Sequence, residues 1–305
     1  MSYNFAVIDL GSNSVRMSIN ALEKDGSWAV LEKLRSTVRL SEGMTADNFL
    51  KEESISRVLG AIEEFVKKAK EYKCASIAAV ATAALRCAAN KDLFLTRVRE
   101  RTGIQFEIIS GEQEAYYSYL AVKETVGITD GVIYDTGGGS TEIVLVKNGE
   151  IKHSTSLPLG AVMMTEKMER RSQMQLYKYV ASYIGGVNWL DECEGLPLYG
   201  IGGSARAMAM LYKKEYLSPD KVDGIKIPYH AVAKIYQDIF STPLQKRKDI
   251  KGMDISRADI ILAGLTPVKV LMDMTGSPSV TVCAAGVKEG VFFRLKDEIL
   301  RSNMK

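Results

Sequence analysis

The chain has 305 residues, 46% of them hydrophobic, and this is long enough for two domains that each have a core. Its formal net charge of +3 is too small to indicate a nucleic-acid-binding protein, and its four cysteines form no CxxC pair, which argues against a structural zinc site or a disulfide framework. No apolar run approaches the roughly 18 residues of a membrane span, and no signal-peptide core is present, so we expect a cytoplasmic protein that binds neither a membrane nor a specific nucleic acid.

The first part of the chain is predicted to form a strand meander that continues as alternating helices and strands. The predicted strands are 5–10, 15–20, 28–34, 76–82 and 105–109, and the predicted helices are 51–72, 92–100 and 112–124. The helix at 51–72 is predicted from apolar residues that recur with the helical period. A meander followed by alternating helix and strand indicates an α/β domain.

The second part of the chain is predicted to repeat this pattern. The predicted strands are 131–135, 141–147, 151–156, 198–201 and 279–284, and the predicted helical segments are 164–190, from 204, 257–272 and from 287. Repetition of a whole domain fits two duplicated halves with a ligand between them. We therefore predict one domain over 1–124 and another over 125–305, with a hinge near 125–130 and a closing helix able to pack back on the first domain.

A strand–turn–strand pattern with polar turns occurs twice. The sequence DLGSNS at 9–14 returns in altered form as DTGGGS at 135–140, each time between two apolar strands. Glycines let successive backbone N–H groups approach a ligand and form an anion-binding concavity, to which hydroxyl and amide side chains add donors. The predicted phosphate-binding residues are Gly11, Ser12, Asn13, Ser14, Gly137, Gly138, Gly139 and Ser140. The alternative is two ordinary hairpin turns, but two related copies favour a phosphate site.

Three acidic residues near these turns are predicted to bind a metal. Asp9 and Asp135 each end the first strand of their pair, and Glu142 follows the second turn. Mg²⁺ prefers oxygen ligands and keeps several waters, so a carboxylate at these positions could hold it directly or through water. The predicted cofactor is therefore Mg²⁺.

A third glycine-rich element, GIGGSARAMA at 200–209, lies between a predicted strand and a predicted helix. Gly202, Gly203 and Ser204 would place helix N-terminal amides and a hydroxyl against an anion. The alternative is a tight strand-to-helix turn in which Ser204 is the N-cap.

A candidate general base lies at the start of the predicted helix 112–124. Ser110 and Gln113 have capping-box spacing, which places Glu114 in the first helical turn. The helix dipole favours the ionised carboxylate, and an ionised carboxylate can orient or deprotonate an attacking water. The alternative is that Glu114 only complements the dipole, and the spacing does not exclude Glu112 as the base.

Two arginines follow predicted strands and are candidates for phosphate binding. Arg86 follows the strand at 76–82, and Arg39 follows the third strand. A guanidinium binds two phosphate oxygens at once and offsets charge in phosphoryl transfer. The alternative for each is a solvated arginine.

Taken together, these segments resemble the exopolyphosphatase / guanosine pentaphosphate phosphohydrolase (Ppx/GppA) family. The matching segments are FAVIDLGSNSVRMSI, ATAALRCAAN, ISGEQEA, YDTGGGSTEIVLV, GIGGSARAMA, RADIILAG and CAAGVKEG. The resemblance implies an α/β fold of two actin-like (RNase H-like) ATPase-superfamily domains with an interdomain cleft. It also implies Mg²⁺-dependent hydrolysis of the terminal phosphate of inorganic polyphosphate, or of the 5′-γ-phosphate of pppGpp, with guanosine penta- or tetraphosphate as the alternative ligand. A homodimer is expected from family analogy alone.

The resemblance also implies roles for individual residues. It places the catalytic glutamate, which activates the water, on Glu114, the metal-linked acid on Asp135 with Glu142 in support, and the phosphate-binding arginine on Arg86. The chain departs from the family pattern at Cys87, Thr136, Ser204, Ala205, Arg206 and Lys288. The departures in the third loop leave the choice between polyphosphate and pppGpp open.

Two other functions stay open on the sequence. One is a kinase or ATPase of the same superfamily, which needs an adenosine pocket. The other is a protein that senses (p)ppGpp or polyphosphate without turning it over.

Overall fold

The computed structural model describes residues 3–44, 47–167 and 173–303. The strands are β1 (Tyr3–Leu10), β2 (Ser14–Leu22), β3 (Trp28–Thr37), β4 (Ser76–Ala81), β5 (Glu107–Ile108), β6 (Gly131–Thr136), β7 (Thr141–Lys147), β8 (Glu150–Leu157), β9 (Leu198–Ile201), β10 (Lys226–Pro228) and β11 (Ser279–Val282). The helices are α1 (Glu52–Glu71), α2 (Ala83–Cys87), α3 (Lys91–Thr102), α4 (Gly111–Thr125), α5 (Ala161–Lys167), α6 (Gln173–Ile184), α7 (Gly202–Lys213), α8 (Pro219–Val222), α9 (Tyr229–Ser241), α10 (Ile261–Thr275) and α11 (Val287–Asn303). Short 3₁₀ helices cover Leu190–Cys193, Leu244–Asp249 and Ile255–Arg257.

The first compact unit contains the described residues up to Tyr117 together with those from Val287 onward. Its sheet has the order β3-β2-β1-β4-β5, with β1 antiparallel to β2 and parallel to β4. Helix α1 buries the apolar face that the periodicity predicts, and helix α11 contacts β1 and β2. The rings of Phe5 and Phe292 stack with their centroids 5.5 Å apart, so α11 completes the core of this unit.

The second unit, Ser118–Gly286, repeats that topology. Its sheet has the order β10-β11-β9-β6-β7-β8. Five of these strands, β8-β7-β6-β9-β11, match the order of the first sheet, and β6 again pairs antiparallel with β7 and parallel with β9. The predicted α/β fold with two duplicated halves is therefore confirmed.

Several predicted elements differ from the structure. The helical segments predicted over 164–190 are observed as α5, α6 and the start of a 3₁₀ helix, with α6 ending before the pair Gly185 and Gly186. Residues 168–172 of that range lie outside the described residues. The strand predicted at 105–109 shrinks to β5, because only two of its residues pair with β4. The helix predicted from 257 begins at Ile261, after a 3₁₀ turn in which Asp254 Oδ1 accepts the N–H of Ser256 at 3.0 Å.

The division between the two units falls between Tyr117 and Ser118, inside α4, whereas the sequence places the domain boundary after residue 124, near the end of the same helix. Across the described residues, no helix is both long enough and apolar enough to cross a membrane.

Candidate active site

In the first unit, the loop at 11–14 is a tight hairpin between β1 and β2. Leu10 pairs with Val15, and the N–H of Gly11 donates to the carbonyl of Ser14 at 3.0 Å. Asp9 is buried at the end of β1 and lies opposite Arg16 in the strand register, so the two side chains share a face of the sheet. The predicted strand–turn–strand geometry is confirmed at this loop.

Two side chains of this loop are buried without a hydrogen-bond partner among the described residues. Asn13 Nδ2 and Ser14 Oγ have essentially no solvent contact, and both residues are at most 6% exposed. Buried polar groups in folded proteins are nearly always hydrogen-bonded, so these two atoms are candidates to donate to a ligand. A phosphate oxygen has the chemistry to accept from them.

A buried carboxylate lies beside an arginine at the start of α4. Ser110 and Gln113 form the predicted capping box: the N–H of Gln113 donates to Ser110 Oγ at 3.1 Å, and the N–H of Ser110 donates to Gln113 Oε1 at 2.8 Å. This cap fixes the first helical turn, in which Glu114 is 6% exposed. Arg86 Nη1 donates to Glu114 Oε2 at 3.2 Å and to the carbonyl of Ile109 at 2.8 Å.

Glu112 and Glu114, the two candidate bases that the spacing allows, lie in different environments. Glu112 is exposed to solvent, whereas Glu114 is buried against Arg86. Arg86 keeps about a quarter of its side chain exposed, so its guanidinium can meet a ligand while it is held by Glu114. Of these two glutamates, Glu114 is therefore the one that combines burial with an arginine contact.

Arg39, the other predicted phosphate-binding arginine, lies next to the first loop. It has a left-handed backbone conformation with φ of 45°, and its N–H donates to the carbonyl of Asn13 at 2.9 Å. Its Nη1 lies 3.6 Å from Glu42 Oε1.

In the second unit, the loop at 137–140 reproduces the hairpin geometry. The N–H of Gly137 donates to the carbonyl of Ser140 at 2.9 Å, as at the equivalent positions of the first loop. The amides of Ala161 and Val162 at the start of α5 donate to the carbonyls of Gly137 and Gly138. These contacts hold the carbonyl side of the loop against α5.

Gly160, which the sequence analysis did not single out, permits that packing. A Cβ at this position would overlap the backbone of Gly138 and Gly139. A glycine at the start of α5 is thus required for the loop to lie where it does.

The predicted metal ligands of the second unit form a pair. Asp135 and Glu142 lie directly opposite each other in the β6–β7 register, so their side chains are on the same face of the sheet. Both are buried, at 8% and 1% exposure, and Ser156 Oγ donates to Glu142 Oε1 at 2.7 Å. Asp135 also touches the third loop: a Cβ on Gly202 would overlap Asp135 Oδ1.

The carboxylates of Asp135 and Glu142 fit the Mg²⁺ ion that the resemblance implies. Within the described part of the chain there is no group of three or more His, Cys, Asp or Glu side chains that could cage a metal. Mg²⁺ is commonly held by one or two carboxylates, with waters and substrate phosphates as its other ligands, and Asp135 with Glu142 supplies such a pair. Two carboxylates buried side by side are also a costly arrangement, which a divalent cation relieves.

The third loop differs from the N-cap alternative for Ser204. The helix α7 begins at Gly202, so Ser204 lies inside its first turn, and the alternative in which it is the N-cap is wrong. Its hydroxyl donates to the carbonyl of Thr136 at 3.3 Å and lies against Gly264. The serine therefore ties α7 to β6, while Gly202 and Gly203 present the first amides of the helix.

Arg257 is a candidate that the sequence analysis missed. It is buried, its guanidinium lies on the Cα side of Gly203, and its Nε is 3.8 Å from Asp254 Oδ2. A guanidinium at a helix N-terminus adds a fixed positive charge where anions bind. The segment RADIILAG was the available signal, but nothing in its spacing shows where the arginine points.

Two other departures from the family pattern, Cys87 and Lys288, differ in their exposure to solvent. Cys87 is an exposed thiol next to Arg86 in α2. Lys288 is buried at the start of α11, and its ammonium contacts Glu289 Oε1.

One known protein family matches most of this chain. The family model described as the Ppx/GppA phosphatase family matches residues 20–298. A guanosine-5′-triphosphate,3′-diphosphate pyrophosphatase from Vibrio parahaemolyticus is 26% identical over 99% of this chain, and the match covers 61% of that relative. The chain thus spans about three fifths of the length of this relative.

Solved structures agree with this result. The Aquifex aeolicus member of the Ppx/GppA family superimposes with a TM-score of 0.81 at 28% identity, and the match covers 99% of both chains. An exopolyphosphatase from Cytophaga hutchinsonii superimposes with a TM-score of 0.89 at 21% identity over 97% of this chain and 98% of that one, which shows the shared fold. The two domains are therefore of the actin-like type that the resemblance implies.

Proposed function

The chain belongs to the Ppx/GppA phosphatase family, and we propose that it hydrolyses the terminal phosphoanhydride of inorganic polyphosphate or of pppGpp with Mg²⁺ as cofactor. The names of the relatives support both substrates, since one is a pyrophosphatase of a guanosine triphosphate diphosphate and another is an exopolyphosphatase. Both substrates present a terminal phosphoryl group at the end of an anionic phosphate chain.

The observation that carries this proposal is the environment of Glu114. The carboxylate is buried at a capped helix start and bonded to Arg86, whereas the neighbouring Glu112 is exposed. A carboxylate held in this way can orient a water and accept its proton as the water attacks phosphorus. A protein that only sensed the phosphate chain would not require such a group.

The other residues bind the substrate and offset its charge. Asn13 Nδ2 and Ser14 Oγ have no hydrogen-bond partner among the described residues and are proposed to donate to phosphate oxygens. Arg86 contributes a cation whose position is fixed through the carbonyl of Ile109. In phosphoryl transfer, most catalysis comes from such positioning and from electrostatic stabilisation of the transferring group.

Asp135 and Glu142 are the proposed metal-holding residues, for the reasons of register and burial given above. When bound, Mg²⁺ neutralises charge on phosphate oxygens and helps to orient the phosphate chain. Gly202 lies against Asp135, and Arg257 lies against Gly203 in the first turn of α7. Both are proposed to complete the anion-binding surface of the second unit.

The test is phosphate release from long-chain polyphosphate, tripolyphosphate and pppGpp, with and without Mg²⁺, for the wild type, Glu114→Gln and Glu112→Gln. The two variants remove one charge each from the same helical turn, so they form a matched pair. We expect Glu114→Gln to lose at least about 100-fold in kcat, because a general base contributes typically 10²–10⁴-fold, and Glu112→Gln to retain activity.

Other outcomes would assign the chain differently. Turnover of ATP with transfer to an acceptor, and no release from polyphosphate or pppGpp, would indicate a kinase or ATPase. Tight binding of these ligands without release would indicate a sensor. Release that survives Glu114→Gln and is lost in Glu112→Gln would keep the hydrolase and refute the assignment of the base.

A further inference from the structure

A segment after β3, residues 38–42, lies on the first loop and is called the covering segment. The N–H groups of Val38 and Arg39 both donate to the carbonyl of Asn13, at 3.1 and 2.9 Å. The N–H of Ser41 donates to the carbonyl of Ser12 at 3.2 Å. The covering segment therefore binds the backbone of the loop that carries the unpaired donors, and its own position decides where the side chain of Arg39 lies.

One side chain of α1 holds the covering segment from its other side. Arg57 Nε donates to the carbonyl of Val38 at 2.9 Å, and its Nη2 donates to the carbonyl of Arg39 at 3.3 Å and to Glu42 Oε2 at 3.0 Å. The same Nη2 lies 3.0 Å from Ser54 Oγ, which orients the guanidinium from within α1. Residue 39 is thus bound at both of its backbone groups, the N–H by the loop and the carbonyl by Arg57 together with the N–H of Glu42, which donates to it at 3.0 Å.

The backbone at Arg39 needs such restraint. A φ of 45° is unusual for a residue other than glycine, and conformations of this kind persist only where the surrounding contacts fix them. Arg57 donates to the carbonyls of Val38 and Arg39, which lie on either side of the Cα of this strained residue. Without them, the segment can relax and the side chain of Arg39 can move.

Arg57 also shares the carboxylate that faces Arg39. Glu42 Oε2 bonds to Arg57, while Glu42 Oε1 lies 3.6 Å from Arg39 Nη1. Loss of Arg57 leaves Glu42 to neutralise Arg39 alone. The loss of the backbone contacts and the closer pairing with Glu42 both reduce the ability of Arg39 to bind phosphate.

We propose that Arg57 is a positioning residue for phosphate binding, which acts through Arg39 by holding the covering segment on the first loop. This inference rests on the proposed function, since Arg39 is taken to bind substrate phosphate. In this proposal Arg57 does not contact the substrate.

The experiment is a double-mutant cycle on tripolyphosphate hydrolysis at saturating Mg²⁺. We expect Arg57→Gln to raise KM about tenfold, the order of one weakened charge-assisted contact, and to change kcat by less than about threefold. In an Arg39→Ala background the same change should raise KM by less than about twofold. Glu42→Gln added to Arg57→Gln should recover part of the KM, because no carboxylate then competes for Arg39.

The matched control is Arg101→Gln. Arg101 also bonds to a residue of α1, with its Nε 2.8 Å from Glu63 Oε1, but it does not contact the covering segment. Its KM should stay at the wild-type value. Hydrogen exchange should show faster exchange of the amides of residues 38, 39 and 41 in Arg57→Gln and not in Arg101→Gln.

The proposal is overturned if Arg57→Gln leaves KM unchanged, or if its effect is the same in the wild-type and Arg39→Ala backgrounds. It is also overturned if Arg101→Gln raises KM equally, since Arg57 would then act only through general stability. If the wild type releases no phosphate, the proposed function fails separately. The same cycle is then read from the Kd for tripolyphosphate, with the same criteria.

Discussion

The contact between Gly202 and Asp135 yields a quantitative prediction for Gly202→Ala. Gly202 has φ of 79°, and a Cβ there would overlap Asp135 Oδ1. The left-handed conformation costs an alanine about 1–2 kcal/mol, and the overlap must be relieved by a shift of the aspartate or of the loop. A displacement near 1 Å in a positioned group can cost about 100-fold in rate.

A second glycine separates these two costs. Gly195 has nearly the same φ, 69°, but a Cβ there meets no atom within 4 Å. Gly195→Ala therefore carries the backbone penalty without the overlap. We expect both variants to lower the thermal midpoint by a few degrees, and only Gly202→Ala to lose phosphate release by about 100-fold.

The assay is an Mg²⁺ titration of phosphate release from tripolyphosphate, with thermal unfolding measured in parallel. Gly202→Ala should require more Mg²⁺ for half-maximal rate, because the displaced carboxylate is a proposed metal ligand. Wild-type Mg²⁺ dependence in Gly202→Ala would refute this reasoning. So would an equal loss of activity in Gly195→Ala, since strain alone would then explain both.

Three further predictions concern single side chains. Ser14→Ala should leave the thermal midpoint unchanged or raise it, because the hydroxyl has no partner among the described residues, yet calorimetry should show roughly tenfold weaker tripolyphosphate binding; a lower midpoint would contradict this. Ser110→Ala should lower the free energy of unfolding in urea by about 1 kcal/mol, since it removes the acceptor of the Gln113 N–H, and Ser110→Asp should restore it. At pH 8 the exposed Cys87 should react first with a thiol reagent, whereas Cys193, whose pKa burial raises to about 11, should stay protonated; a fast phase that survives Cys87→Ser would refute this.

The local structure that was predicted correctly depends on residues that lie close together in the sequence. The two glycine-containing hairpins and the capping box at Ser110 are each specified by residues within a few positions of one another, so their geometry can be read from the sequence. The pairing of Asp135 with Glu142 follows from the same hairpin register.

The parts that were missed depend on contacts between distant segments. Arg257 and Gly160 matter only because the fold brings them against Gly203 and the loop at 137–140, and no periodicity or motif spacing encodes those contacts. The helix α9 was also missed, although its buried residues Val232, Tyr236 and Ile239 recur with the helical period that predicts α1.

The composition of the first unit from two separated stretches of chain has a consequence for biosynthesis. Phe292 and Phe293 pack against Trp28, so the ribosome must make α11 before the residues around β1 and β3 can reach their final packing. The intervening unit is continuous in sequence and can mature earlier. Proteolysis of ribosome-bound chains stalled before residue 287 should then find 118–286 protected and the first sheet accessible, and the reverse would contradict it. The first sheet is thus exposed on the ribosome until α11 is made, and during this time a chaperone can bind it.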